Sequence, residues 1–430
     1  MQSADIKKTI DYARRNGLAA AYAAARERLE DRRSPYVYEV PSEAELEEQR
    51  EQTAVWTRAG QAPFISVVVP AWETPQGYYD AMAASVRAQS YDRYELIVSR
   101  EPGGISANTN AGIGRAAGEY IALLDHDDVL APDALFRMAE AVIRARENGI
   151  RPLLVYSDED KLREEDGRTL YFAPNRKPDF NYDHLLSNNY ICHLTMIEAG
   201  LMKRLQMRSA YDGAQDHDLF LRVCGEAMRE EEDPLRADAR FLHVPRVLYH
   251  WRSHEASTAE SGANKAYAHD AGKRAVEAHL RERGIPCAVE ELAHRGFLRV
   301  HYFEDIFASR PDLGAIGGKL VDRRGRMVGG LYTAAGEILF DGLKRGWSGG
   351  YTHRAACQQD AEAVDLTNIR IRPELLSEIP AELKPWIHAR AEDFSDRVNR
   401  VEKSIAVCNA IRAQGYRILW DPLLEEKGRR

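Results

Sequence analysis

Strand-like and helix-like segments alternate between residues 64 and 160, and this alternation limits the fold more than any other feature of the chain. Apolar, β-branched runs occupy residues 65–69, 94–99, 120–124 and 152–160, and stretches with helical spacing separate them. This order predicts βαβ units and a mostly parallel sheet with helices on both faces, an α/β fold of Rossmann type. Ligands of such sheets bind beyond the carboxyl ends of the strands. We therefore expect the functional site at that edge.

Composition narrows the class of protein. The chain has 430 residues, enough for two or three domains, and its 44% hydrophobic and 29% charged residues are typical of a globular protein. A formal net charge of −8 provides no basic surface, so we expect no nucleic-acid partner. The five cysteines form no CxxC pair, which indicates small core residues in a reducing compartment rather than disulfides or a zinc site.

Three segments are predicted. Residues 1–62 form a helical segment, residues 63–285 the main α/β domain, and residues 286–430 a smaller, degenerate unit related to it. The relation rests on a weak repeat: the helix that begins "DHDLFLR" aligns with "SIAVCNAIR", so that Asp216 and Asp218 fall on Ser404 and Ala406.

The N-terminal segment is the part of the chain that could contact a membrane. Its Ala- and charge-rich helix is expected to pack on its own domain, with peripheral membrane association as the alternative. No apolar run reaches the roughly 20 residues that cross a bilayer. We expect a cytoplasmic protein, and the inner face of the plasma membrane is the alternative location.

Three carboxylates follow the third strand within four positions, at Asp125, Asp127 and Asp128. On an extended strand, residues two apart share a face, so Asp125 and Asp127 can hold one ligand together. Two hard oxygen donors suit Mg²⁺ or Mn²⁺ and the phosphates that these ions bridge. The alternative is that the acids cap the following helix, a role open to Asp128.

Five motifs carry a family resemblance. In order they are "ISVVVPAWETP", "ANTNAGIGRAAGEYIALLDHDDVLAPDAL", "VYSDEDK", "GAQDHDLFLR" and "VLYHWRSHEAST", spread over residues 64–260. Together they resemble a family 2 glycosyltransferase with the GT-A fold, of the two-unit kind associated with bacterial cell-surface polysaccharide synthesis. The resemblance implies inverting transfer of a hexosyl or rhamnosyl group from a UDP- or dTDP-linked sugar to a glycan or lipid-linked glycan, with Mn²⁺ or Mg²⁺ held by the DxD motif.

The resemblance also implies residue roles. Asp216 is the general base, for which the alternative role is a helix N-cap, and His250 or His254 is a further metal ligand beside Asp125 and Asp127. The donor nucleotide would be bound by Pro70, Trp72, Glu73, Asn110, Arg115, Asp125, His126 and Arg252. The sugar or acceptor would be bound by Asp158, Glu159, Asp160, Gln215 and His217. Trp72 could stack on a sugar or base, with core packing as its alternative.

The chain departs from the family pattern in two places. The second strand runs through Arg100 and Glu101 almost directly into the next helix, where a base-binding acidic residue and a further strand are expected. A similar shortening near residue 302 removes the start of a second transferase half. Two alternatives therefore stay open. One is a degenerate scaffold or glycan-binding module, and the other is a sugar-phosphate nucleotidyltransferase, although the Gly-rich phosphate loop typical of that class is absent. Catalysis is expected within residues 63–285 only.

Overall fold

The computed structural model describes residues 10, 12–14, 16–31, 36–165, 167–253, 262–350 and 352–427. Over the N-terminal segment and the predicted alternation it contains α1 (Leu18–Asp31), α2 (Glu43–Arg58), β1 (Ile65–Pro70), α3 (Gln76–Arg87), β2 (Tyr94–Ser99), α4 (Ile105–Arg115), β3 (Tyr120–Leu123), β4 (Val129–Leu130), α5 (Ala134–Glu147) and β5 (Leu154–Glu165). The rest of the larger unit contains β6 (Arg168–Asn175), α6 (Tyr182–Ser187), β7 (Thr195–Glu198), α7 (Ala199–Leu205), α8 (Gln215–Glu230), α9 (Pro234–Asp238), β8 (Phe241–Arg252) and α10 (Gly262–Glu282).

The N-terminal segment packs on the rest of the protein where it is described. The amide of Asn16 donates to the carbonyl of Ala293 at 3.1 Å. Helix α2 begins at Ser42 with a capping box, and its Trp56 stacks on Phe136 of α5 with ring centroids 5.0 Å apart. Within the described parts of the chain, no helix is both long and apolar enough to span a membrane.

The larger sheet has the strand order β2-β1-β3-β7-β5-β8-β4, and β6 pairs with β5. Strand β1 is parallel to β2 and β3, and β5 is parallel to β8; β7 is antiparallel to both β3 and β5. Five of the eight strands therefore run in one direction, which confirms the predicted mostly parallel α/β sheet. Val68 belongs to one apolar core while Val67 and Val69 belong to the other, so both faces are covered.

The C-terminal region forms a second, smaller sheet. Its elements are β9 (Cys287–Glu291), β10 (Leu298–Tyr302), α11 (Ile306–Ser309), β11 (Leu313–Val321), β12 (Met327–Gly329), β13 (Leu331–Tyr332), β14 (Gln359–Asp360), β15 (Ala363–Val364), β16 (Ile369–Ile371), α12 (Arg397–Arg412) and β17 (Arg417–Lys427). The sheet order is β12-β11-β17-β14, with β16 on β11. The β9–β10 hairpin contributes Val289, Leu298 and Val300 to a core of the larger unit. The boundary after residue 285 stays a prediction.

The two units share one arrangement of strands, and their relation by an internal repeat stays a prediction. In the larger unit a long strand, β5, pairs with the returning β6 and lies parallel to β8, which follows helix α8. In the smaller unit β11 pairs with β12 and lies parallel to β17, which follows α12. Among the described residues between β10 and β11 there is only the short helix α11, so the smaller unit has no counterparts of β1 to β4.

Candidate functional site

The DxD residues lie in a turn between β3 and β4. The extended geometry expected for Asp125 and Asp127 is wrong: the chain turns back, and the Asp128 amide donates to the Asp125 carbonyl at 3.4 Å. The side chain of Asp125 is 45% exposed and that of Asp127 is 20% exposed. Both carboxylates therefore stay open to a ligand at the carboxyl edge of the sheet.

Asp128 anchors this turn to β8 instead of capping a helix. Its buried carboxylate accepts hydrogen bonds from the Tyr249 hydroxyl and, at 2.7 Å, from the Arg252 amide. Burial raises the pKa of Asp128 well above its usual range, and the charges of Asp125 and Asp127 act in the same direction. The capping alternative is thus wrong for Asp128.

Arg252, predicted to contact phosphate, closes the same turn. Its Nε donates to the Asp127 carbonyl at 2.8 Å, and its guanidinium lies 4.7 Å from the centre of the Tyr78 ring. It is almost fully buried, with Glu164 3.6 Å away. The structure therefore gives Arg252 a role in holding the turn, and phosphate binding stays a prediction.

His193, absent from the predicted site, connects the turn to β5. Its Nε2 lies 3.6 Å from Asp125 Oδ2, its Nδ1 lies 3.2 Å from Glu159 Oε2, and its ring stacks on Tyr249 at 4.8 Å. Although burial disfavours the charged ring, Glu159 and then Asp125 and Asp128 raise the pKa of His193 to about 9. A cationic imidazole therefore stands between two carboxylates.

Lys177, also absent from the predicted site, contacts both His193 and Glu159. Its Nζ donates to the carbonyls of Ile191 and His193 and lies 3.5 Å from Glu159, with none of the lysine side chain exposed. Burial opposes ionisation of Glu159, but Lys177 and then His193 lower its pKa to about 2. Glu159 is therefore an ionised carboxylate that fixes His193 rather than a free group in a sugar pocket.

Asp216 lies in the first turn of α8 and faces the same region. Its carboxylate accepts from Asn189 Nδ2 and from the His217 amide, both at 2.9 Å. The N-cap of α8 is Ala214, so the capping alternative for Asp216 is wrong. Burial raises the pKa of Asp125; the charge of His193 opposes this effect, and the charges of Asp127 and Asp216 add to it.

The two other acids of β5 are structural. The strand does not end at residue 160 as expected, because β6 pairs with it as far as Glu165. Asp158 is buried and accepts from the Lys177 amide at 2.8 Å and from His243 Nε2 at 2.9 Å. Asp160 is buried and accepts from the Tyr36 hydroxyl at 2.7 Å. The structure gives both carboxylates partners within the protein, and their contact with sugar or acceptor stays a prediction.

His250 is the partner of Asp160. Its Nδ1 lies 2.6 Å from that carboxylate, and the rings of Tyr38 and Tyr171 pack against it at 4.4 and 4.6 Å. Only 2% of His250 is exposed, so the structure gives it a place in an aromatic cluster, and metal binding at this residue stays a prediction. The alternative ligand, His254, lies outside the described residues.

Other residues that are predicted to bind ligands also make hydrogen bonds within the protein. Asn110 exchanges two hydrogen bonds with the backbone of Met207, at 2.9 and 2.7 Å, and Arg115 donates to the carbonyl of Val98 at 3.0 Å. His217 is buried, and its Nε2 donates to the Leu185 carbonyl at 2.8 Å. These side chains join parts of the fold, and the predicted roles of Asn110 and Arg115 in donor binding and of His217 in acceptor binding stay predictions.

The remaining predicted residues lie around the open edge. Pro70 ends β1, and Trp72 is 55% exposed in the following loop, so core packing is wrong for Trp72. Glu73 adopts a positive φ of 47° in that loop. His126 lies within the DxD turn with its Nδ1 buried and without a hydrogen-bond partner. Gln215, at the start of α8, accepts from the Gly213 amide at 2.7 Å. Their predicted contacts with ligands stay predictions.

The donor set at the turn fits a hard divalent ion. Mg²⁺ and Mn²⁺ commonly bind through one or two carboxylates and complete their shell with water and substrate phosphates. Asp125 and Asp127 supply two such groups with exposed surface. Among the residues that the structure describes, no group of three or more His, Cys, Asp or Glu side chains is arranged to hold a metal ion.

Known proteins resemble this chain over about half its length. An uncharacterized protein, y4gI, of Sinorhizobium fredii is 38% identical over 252 residues, 52% of this chain and 26% of the relative. The O-antigen biosynthesis protein RfbC of Myxococcus xanthus is 28% identical over 256 residues, 53% of this chain and 19% of the relative. The chain thus spans about a quarter or less of the length of these two relatives.

Solved structures of glycosyltransferases match this chain over about half of its length, with low TM-scores. S. aureus TarS in complex with UDP has a TM-score of 0.35 at 12% identity, covering 50% of this chain and 65% of TarS. The mannosyltransferase PcManGT of Pyrobaculum calidifontis, in complex with GDP-Man and Mn²⁺, has a TM-score of 0.31 at 15% identity, covering 56% of this chain and 87% of PcManGT.

The family assignment follows from the matched residues. The family model described as glycosyl transferase family 2 matches residues 77–205. This stretch runs from α3 to α7 and includes the DxD turn, Glu159, Lys177 and His193. The chain therefore carries a family 2 glycosyltransferase domain.

Proposed function

We propose that this protein is an inverting, divalent-metal-dependent transferase that moves a hexosyl or rhamnosyl group from a UDP- or dTDP-linked sugar to a growing bacterial surface glycan. The observation that carries the proposal is an arrangement of charged groups: His193 contacts both Asp125 of the DxD turn and Glu159, and Asn189, four residues before His193, donates to the Asp216 carboxylate. The relative RfbC supports the pathway, because its name assigns it to O-antigen biosynthesis.

The proposed chemistry divides between two sides of this edge. On the donor side, Asp125 and Asp127 would hold Mg²⁺ or Mn²⁺, which supplies positive charge to the departing nucleoside diphosphate. On the acceptor side, Asp216 takes the proton of the attacking hydroxyl as the new bond forms at the opposite face of the sugar carbon. Asn189 and the His217 amide orient the Asp216 carboxylate for this step.

A glycan or lipid-linked glycan is the proposed acceptor, and the inner face of the plasma membrane is the proposed place of action. A degenerate module that binds glycan without transfer is the second candidate. One observation favours it: β2 leads through residues 100–104 directly into α4, so this connection offers little surface to a nucleotide base. The two candidates differ in donor binding, since only the transferase requires it.

The first experiment is calorimetric titration with UDP and with dTDP, each with and without Mn²⁺, followed by a transfer assay with the corresponding sugar donors. We expect metal-dependent binding of one nucleotide and transfer from its sugar. Binding of neither nucleotide to the folded protein would refute the transferase. Metal-dependent binding without transfer to any glycan acceptor would favour the second candidate.

A further inference from the structure

One segment of the larger unit contacts both the smaller unit and Asp216, the candidate base. Residues 181–193, here called the linking segment, comprise α6 and its continuation towards β7. Its first half contacts the smaller unit and its second half contacts the site. The segment runs between β6 and β7, and its last residue, His193, contacts Glu159 of β5.

The smaller unit binds the start of the linking segment through paired polar contacts. Asn181 Nδ2 donates to the Asp360 carbonyl and Asn181 Oδ1 accepts from the Asp360 amide, both at 2.8 Å. Ser187 Oγ donates to the carbonyl of Gln358 at 3.1 Å. These contacts join α6 to β14 and to the residue before it. They fix the position of the helix at both of its ends.

A buried ion pair strengthens this attachment. Arg310, 1% exposed, donates to both carboxylate oxygens of Asp183 at 2.7 and 3.0 Å. The Asp183 amide donates to Asp360 Oδ2 at 2.9 Å. A bidentate arginine–carboxylate pair restricts orientation as well as distance, so α6 has little freedom to shift relative to the smaller unit.

The linking segment also makes one hydrogen bond to Asp216 and one to the neighbouring His217. Asn189 Nδ2 donates to the Asp216 carboxylate at 2.9 Å. The Leu185 carbonyl, in α6, accepts from Nε2 of His217, the residue next to Asp216, at 2.8 Å. The amide orientation of Asn189 is set, because a carboxylate accepts and does not donate. Asp216 therefore takes its position partly from α6.

We infer that the smaller unit is a positioning element for Asp216, which it holds in place through the linking segment. This inference rests on the proposed role of Asp216 as the base, and it gives the unit a function although it lacks counterparts of β1 to β4. Small displacements matter here, because a misplacement of about 1 Å can cost about a hundredfold in rate. Asn181 and Ser187 act as positioning residues and touch no reacting atom.

The test compares two buried serines with one side-chain hydrogen bond each. Ser187→Ala removes the bond to Gln358. The matched control, Ser404→Ala, removes the bond that Ser404 Oγ accepts from the Leu366 amide within the smaller unit, at 3.2 Å. A second variant, Asn181→Asp, keeps the acceptor for the His184 amide that caps α6 but loses the donor to Asp360.

Two readouts are measured on the full chain. We expect Ser187→Ala combined with Asn181→Asp to lower kcat about tenfold or more while the Kd of the metal-bound nucleotide stays unchanged, because a displaced base slows the chemical step. Hydrogen exchange of the His217 amide should become faster in the same variant. Ser404→Ala should leave kcat and this exchange rate near wild-type values.

Equal kcat and equal exchange in the linking-segment variants and the control would overturn the inference. Exchange at His217 separates this result from failure of the proposed function, because it needs no turnover. If the wild type bound no donor but His217 exchange still rose only in the linking-segment variants, the positional coupling would be supported and the proposed function refuted.

Discussion

Replacing Lys177 by methionine should destabilise the protein strongly, because this substitution removes one of the two cationic partners of the buried Glu159 carboxylate and leaves only His193. The lysine side chain has no exposed surface, Glu159 is 11% exposed, and 3.5 Å separates the charged groups. Breaking such a pair from one side costs about 3–5 kcal/mol. With an m-value of about 3 kcal/mol/M, the urea midpoint should fall by about 1–2 M. Intrinsic fluorescence during urea unfolding measures this midpoint.

Two further variants make the Lys177 result interpretable. Lys177→Met combined with Glu159→Gln removes both charges, so it should recover part of the loss, and the double-mutant cycle should give a coupling of about 2 kcal/mol. Lys203→Met is the control, since Lys203 also donates to a backbone carbonyl, that of Ala116, but is largely exposed. If Lys177→Met lowered the midpoint no more than Lys203→Met, the buried pair would not support the site as argued.

Three other perturbations separate binding, chemistry and stability. Asp127→Ala should abolish Mn²⁺-dependent nucleotide binding in calorimetry, and wild-type affinity would refute the metal assignment. Asp216→Asn should retain nucleotide binding but lower kcat by about 10²–10⁴, so normal turnover would mean that another group is the base. Burial, and then Arg354, lower the pKa of His184 to about 3, below the ordinary histidine value of about 6.5, so the unfolded chain takes up a proton that the folded protein does not. Stability should therefore fall below pH 6.5, by about 1.4 kcal/mol per pH unit relative to His184→Leu, in urea unfolding series; parallel series would contradict this.

Local patterns predicted the strands well but not the limits of β5. The run at residues 94–99 matches β2 residue for residue, although this edge strand is only partly buried and contains Glu95. Strand β5 extends to Glu165 through charged residues, since its outer half pairs with β6 and β8. Pairing partners distant in sequence decide that extension, and periodicity within the strand does not reveal them.

Contacts between residues distant in sequence also limit what can be predicted about the site. The sequence indicates the carboxylates of the DxD turn and Asp216 as candidates. Each follows an apolar or Gly-containing segment, and their motifs occur in the order of the family. Lys177 and His193 lie in segments without any such pattern, and their roles depend on contacts with Glu159 that only the fold creates. The acidic residues of β5 look alike in sequence, yet Asp158 faces His243 while Glu159 faces His193, because neighbouring strand residues point to opposite faces.

The smaller unit shares only part of the strand arrangement of the larger unit. It keeps a long strand parallel to the strand that follows a helix, but it lacks counterparts of β1 to β4 and therefore the edge that bears the DxD turn. Ser404, aligned with Asp216, is fully buried and accepts one amide hydrogen bond. A carboxylate there would be desolvated with a single donor, which is costly, whereas a hydroxyl is satisfied. Burial therefore favours a serine over an aspartate at this position.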